Sequence, residues 1–116
     1  MTVFYLNGSA QEGQAITGPG QVVPMTIQST SGTGPNPPTQ TVAVVVSGTG
    51  NVSATVQLQG SNDDINWQNA GTAITIASGA SPQLGNTIVN STWQFFRGNI
   101  TALTGTNASA TVTMAL

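Results

Sequence analysis

A chain of 116 residues makes one domain with room for a modest core, small enough that partner subunits matter to its stability. It holds no cysteine and no histidine, which excludes disulfide frameworks, thiolate and imidazole catalysis and the commonest zinc sites. Its charged side chains, Glu12, Asp63, Asp64 and Arg97, sum to −2 and make up 3% of the sequence, where ordinary domains carry about 25%.

With no lysine, the chain lacks the driving force for binding a phosphate backbone, so nucleic acid is excluded as a partner. Soluble monomers keep mixed charges on the surface to prevent association. Here Thr, Ser, Asn, Gln and Gly take that place; they form hydrogen bonds and repel nothing. The composition points to a surface that associates, with an environmental bias in composition as the blander explanation. Met1-Thr-Val-Phe-Tyr-Leu6 has no basic segment and too short an apolar run for a signal peptide. No window approaches the roughly 18 apolar residues of a membrane helix, so no membrane partner is expected.

In chain order, residues 2–6 form a short predicted strand and residues 7–13 a loop. Residues 21–28 alternate through Val23, Met25 and Ile27, with Pro24 restricting that strand to an edge. Residues 29–38 are Gly/Pro/Ser-rich and carry no pattern. The organisation expected is therefore an arm or peripheral hairpin over 1–38 and a compact body over 39–116. Residues 41–47 are nearly continuous apolar and β-branched, which predicts a central strand buried on both faces. Gly48-Thr-Gly-Asn51 is expected to turn the chain.

Val52, Ala54, Val56 and Leu58 then alternate on one face up to Gly60-Ser-Asn-Asp-Asp64, and the chain returns through Ile65 to Trp67. Strand, polar turn and returning tryptophan predict a β-hairpin. Residues 72–77 form a strand with Ile74 and Ile76 inward, 78–82 a turn, 84–90 a strand, and 93–103 the longest strand. After the turn expected at Thr104-Gly-Thr-Asn107, Ala108, Ala110, Val112, Met114 and Leu116 alternate to the end. The spacing predicts an all-β, antiparallel β-sandwich or jelly-roll-like body of about eight strands with an extended N-terminal arm. Asn51-Val-Ser-Ala-Thr-Val-Gln-Leu58 is echoed by Asn107-Ala-Ser-Ala-Thr-Val-Thr-Met114. Two copies fall short of a repeat protein, and two strands meeting the same packing problem account for them.

Two groups of residues are candidate sites. Ser61, Asn62, Asp63 and Asp64 offer hard oxygen ligands but too few for a calcium site, and they read as a hydrogen-bonded hairpin turn. Adjacent carboxylates on a strand point apart, so they do not form an acid–base pair. Arg97 shares the odd face of its strand with Phe95 and Trp93, so together with Tyr5 these residues form a candidate subunit interface. The alternative for Arg97 is intramolecular: an ion pair with Asp63 or Asp64, or a cation–π stack. Trp67 and Phe96 are assigned to the core. No catalytic constellation, metal site or cofactor site is present, and no enzyme is expected.

Val56-Gln-Leu-Gln-Gly-Ser-Asn-Asp-Asp-Ile-Asn-Trp67, then Trp93-Gln-Phe-Phe-Arg-Gly-Asn-Ile-Thr-Ala-Leu-Thr-Gly105 and an alternating closing strand resemble the small β-sandwich modules of tailed-bacteriophage structural proteins. The hairpin also resembles that of discoidin-type carbohydrate-binding modules. The likeness covers about residues 40–116, and Asp64 stands where the pattern usually has glycine. The first resemblance implies a virion protein on the capsid surface, a head decoration or cement protein that contacts the major capsid protein and itself. A trimer is the first homo-oligomer to look for. The second resemblance implies a glycan-binding module on a tail or fibre.

Overall fold

The computed structural model describes residues 3–6, 17–20, 23–24, 40–89 and 93–115. Among them the protein is an all-β, antiparallel sheet with no helix. Strands β4 (Gln40–Ser61) and β8 (Phe95–Ala115) are by far the longest and pair with each other from end to end. β7 (Gln83–Val89), β6 (Ile74–Ala80) and the two-residue β5 (Gln68–Asn69) follow one another along the other edge of β4. β1 (Val3–Tyr5), β2 (Gly18–Pro19) and β3 (Val23–Pro24) lie along the free edge of β8. Pro24 thus sits in an edge pairing, where a residue without an N–H is tolerated. The patternless stretch 29–38 and the loop expected over 7–13 lie outside the described residues.

Neither expected turn in the middle of the long strands is present. Gly48–Asn51 and Thr104–Asn107 are irregularities inside strands that carry on, with register shifts between Ser47 and Thr49, between Thr49 and Ser53, and between Thr55 and Val56. The residues that suggested turns supply left-handed backbone at these breaks: Gly50 has φ 76°, Gly105 φ 135° and Asn107 φ 54°. Glycine and asparagine reach this region cheaply, and a β-bulge needs it as much as a hairpin does. A straight 22-residue strand would run about 70 Å at the usual rise, yet the longest extent of the molecule is 45 Å. The paired strands must therefore bend, and the bulges are where they do so. The two echoing segments begin at Asn51 and Asn107, the last residues of the two breaks.

On the other edge of β4, the β7 pairing ends at Val46 and the β6 pairing begins at Asn51, and Ser81 takes two of the backbone groups left between them. Gly48 N–H donates to Ser81 Oγ at 3.0 Å, and Ser81 N–H donates to Gly50 O at 3.1 Å. β6 runs to Ala80, three residues past the strand end expected at 77, so the turn expected over 78–82 is reduced to Ser81–Pro82, which is thereby docked onto the bend. Leu6 joins the opposite side: its N–H donates to Val112 O and its carbonyl accepts from Gly98 N–H, both at 2.8 Å.

The core is built from one face of each long strand. Val42, Val44, Val46, Val52, Ala54, Val56 and Leu58 of β4 meet Phe96, Ile100, Ala108, Ala110, Val112 and Met114 of β8, closed by Leu6, Ile74, Ile76 and Val89. Each fully buried Val, Leu or Ile contributes about 1.5–3 kcal/mol, so these alternating positions dominate stability. Residues 41–47 are central in the sheet but buried on one face alone: Thr41, Val45 and Ser47 are exposed, Val45 to 41%. Their β-branched run gave the appearance of two buried faces because valine suits either side of a pleat.

At Gly48 the bend has no space for a side chain. A Cβ on Gly48 would lie 2.8 Å from Thr106 O and 3.0 Å from Ala108 Cα, both backbone atoms that cannot rotate away. Gly48→Ala is therefore expected to lower stability by about 1–3 kcal/mol, read as a drop in the urea midpoint at unchanged slope. A midpoint equal to wild type would mean the bend is looser than described.

Candidate functional site

The expected hairpin is present, with its return strand at Gln68–Asn69 pairing with Gln59 and Gly60. Ser61, the one buried polar side chain among the described residues, organises the tip. Its Oγ accepts from Asp63 N–H at 3.2 Å and Asp64 N–H at 2.9 Å, and donates to Asp63 Oδ1 at 2.9 Å. Asp63 Oδ1 in turn accepts from Ile65 N–H and Asn66 N–H, and Oδ2 from the Asn66 side-chain amide at 2.7 Å. Asn62 Oδ1 accepts from Gln94 N–H at 3.3 Å and ties the tip to the entry of β8. The backbone N–H of Asn66, then that of Ile65, then the Asn66 amide and the Ser61 hydroxyl hold the Asp63 carboxyl well below the usual carboxylate range. Every acceptor position of Asp63 faces the turn's own donors, so the cluster works as a turn.

Asp64 occupies left-handed backbone at φ 60°, a region that glycine enters without strain.

Arg97 and Trp93, both proposed for an interface, face opposite ways. Arg97 pairs in register with Gln59; its Nε donates to Gln59 Oε1 at 2.8 Å, and its guanidinium lies 4.2 Å from the centroid of the Trp67 ring. Arg97 is thus held by an intramolecular stack and an amide, and not by either carboxylate. Trp67 is correspondingly half-buried on this outer side and does not belong to the core cluster, correcting its assignment; Phe96 does belong. Trp93 turns the other way. It packs against the core, and a Cβ on Gly60 would land on its ring. Its indole Nε1–H is buried without a hydrogen-bond partner. Phe95 is half-buried opposite Ser61. Tyr5 pairs with Thr113, and the next residue, Leu6, bonds both Val112 and Gly98, the residue after Arg97.

Of the exposed large apolar residues, Ile65 lies at the hairpin tip and the other three lie elsewhere. Leu84 is 71% exposed and Ile88 61%, both on β7, and Leu84 is directly paired with the exposed Val45. Asn86 lies between them on the same outward face, beside Ala43, and Thr111 is paired with Val45 from the β8 side. This face carries no charge. Among the described residues β7 pairs with β4 alone, so its second edge is open. Alternation by itself would turn Leu84 and Ile88 inward. They face out because Ile74 and Ile76 fill the space over Gly85, where a Cβ would lie 2.7 Å from Ile74 Cγ2. The sequence signal available was a seven-residue strand without charge or proline.

No known protein family, no curated protein and no solved structure matches this chain.

Two measurements test the hairpin tip. Relief of left-handed strain of about 1–2 kcal/mol, offset by the added freedom of glycine in the unfolded chain, gives Asp64→Gly a gain of about 0.5–1 kcal/mol; an unchanged or lower urea midpoint would refute it. Asp63 has its folded-state pKa depressed, so its contribution is present above the ordinary range near pH 4 and is lost as pH falls through and below it. The fall in urea midpoint between about pH 5 and pH 2 should shrink in Asp63→Asn. An equal fall in both proteins would show that Asp63 carries none of the acid sensitivity.

Proposed function

We propose that this protein is a non-enzymatic virion structural protein, a capsid decoration or cement protein of a tailed bacteriophage. In this reading the bent sheet is a two-layer β-sandwich, and the described pieces of the N-terminal third border it along β8. Gly98 beside Val112 and Gly85 beside Ile74 and Ile76 support the two-layer arrangement, since these contacts join opposite halves of the bent sheet.

One observation carries the functional reading: Leu84, Ile88 and Val45 are exposed together on a chain whose charged residues make up 3% of the sequence. A free monomer with so few charges has little to prevent association, whereas a permanent member of an assembly has its open faces covered. Such a protein acts mechanically, adding contacts between shell subunits, and needs no reacting group. The glycan-binding alternative requires displayed aromatic rings. Trp93 packs on the core over Gly60 and Trp67 lies under Arg97, so neither ring supports it.

The test is to purify particles from a culture whose genome encodes the chain and to quantify the proteins by mass spectrometry. The reading expects this chain in fixed stoichiometry with the major capsid protein, retained through a density gradient. Its recovery in the soluble fraction alone would refute it.

A further inference from the structure

We propose that the open edge of β7 is an isologous dimer contact, in which Gln83–Val89 pairs antiparallel with the same strand of a second copy about a two-fold axis at Asn86. The inference rests on the assembly reading above and specifies its interface. An edge strand presents a row of backbone donors and acceptors, and proteins guard it with charge, proline, bulges or a cover. β7 runs seven residues, Gln-Leu-Gly-Asn-Thr-Ile-Val, with neither charge nor proline, and its register with β4 is unbroken from Gln83 to Val89.

The occupant follows from the spacing. Leu84 and Ile88 stand symmetrically about Asn86 on the exposed face. A two-fold axis there sets Leu84 opposite the partner's Ile88, and Ile88 opposite the partner's Leu84. Asn86 then meets the partner's Asn86, amide to amide. Directly opposed side chains have Cβ atoms about 4.5–5.5 Å apart, so both apolar pairs are in contact. The Val45–Leu84 row is prolonged by the partner's Ile88, covering apolar surface that one copy leaves in water.

Charge placement agrees. The described charges, Asp63, Asp64 and Arg97, cluster at the hairpin tip and the start of β8. The tip end of β4 pairs with β5 and β8, while β7 pairs with its opposite end, Gln40–Val46. Two copies therefore meet on this edge without opposing or burying any of the described charges. A two-fold contact also makes the solution species a dimer or an even multiple, and not the trimer first expected.

The chain contains no cysteine, so a single one reports cleanly. Opposed Cα atoms in an antiparallel pair lie about 4.5–5.5 Å apart, inside the range that a disulfide spans. Under mild oxidation Asn86→Cys should form a disulfide-linked dimer at least about ten-fold more fully than Ile65→Cys at the exposed hairpin tip. Light scattering of the wild type should give twice the 11.7 kDa chain mass. The double variant Leu84→Lys/Ile88→Lys should be monomeric with an unchanged circular dichroism spectrum. A trimer, or a dimer in which Asn86→Cys links no better than Ile65→Cys, overturns the β7 pairing and leaves the assembly reading in place. A monomer at every concentration overturns the pairing and also removes self-association from the support for that reading.

Discussion

The pairing of β4 with β8 is the interaction on which everything else depends. Both strands supply one face to the core and an edge to every other strand: β5, β6 and β7 attach to β4, and β1, β2 and β3 attach to β8. Because both strands are longer than the molecule allows for a straight ribbon, they bend, and the bend needs glycine or asparagine at Gly50, Gly105 and Asn107. Ser81 and Leu6 then supply hydrogen bonds on either side of that bend. The architecture thus follows from two long apolar-alternating strands with a flexible point in the middle of each.

The scarcity of charge gives the surface its character. Arg97 stacks on Trp67 and Asp63 is saturated by the turn it sits in, so two of the few charged groups are occupied with local structure. Little repulsion remains to keep copies apart. The largest uncharged apolar exposure falls on the strand whose edge is open, and association by strand addition uses both features at once. In the proposed assembly this edge is the most consequential part of the surface.

Much of the fold was legible in the sequence. Strict alternation named the inward residues of β6, of the second half of β4 and of β8 from Ala108 to Met114, and turn chemistry located the hairpin tip at Ser61–Asp64. What was misread was the meaning of Gly48-Thr-Gly-Asn51 and Thr104-Gly-Thr-Asn107. Residues that permit left-handed backbone mark a turn or a bulge equally, and the outcome depends on whether a partner strand continues past them. The strand over 84–90 was legible, but not which of its faces is exposed; Gly85, whose missing side chain leaves room for Ile74 and Ile76, lies inward, and Leu84 and Ile88 lie outward. The aromatic–arginine motif was legible as chemistry and not as place: Arg97 and Trp93 share odd numbering but part company at the bend before β8, so one stacks outside and the other packs inside.

The central claim is that a surface with almost no charge keeps one strand edge for a partner copy. Amide hydrogen exchange of residues 83–89 in the unaltered protein, followed over a dilution series, tests it most directly. In an antiparallel edge strand alternate amides point away from the sheet. The account predicts that these outward amides are protected at high concentration and become fast on dilution, while those bonded to β4 stay slow throughout. Outward amides that exchange freely at every concentration would contradict it.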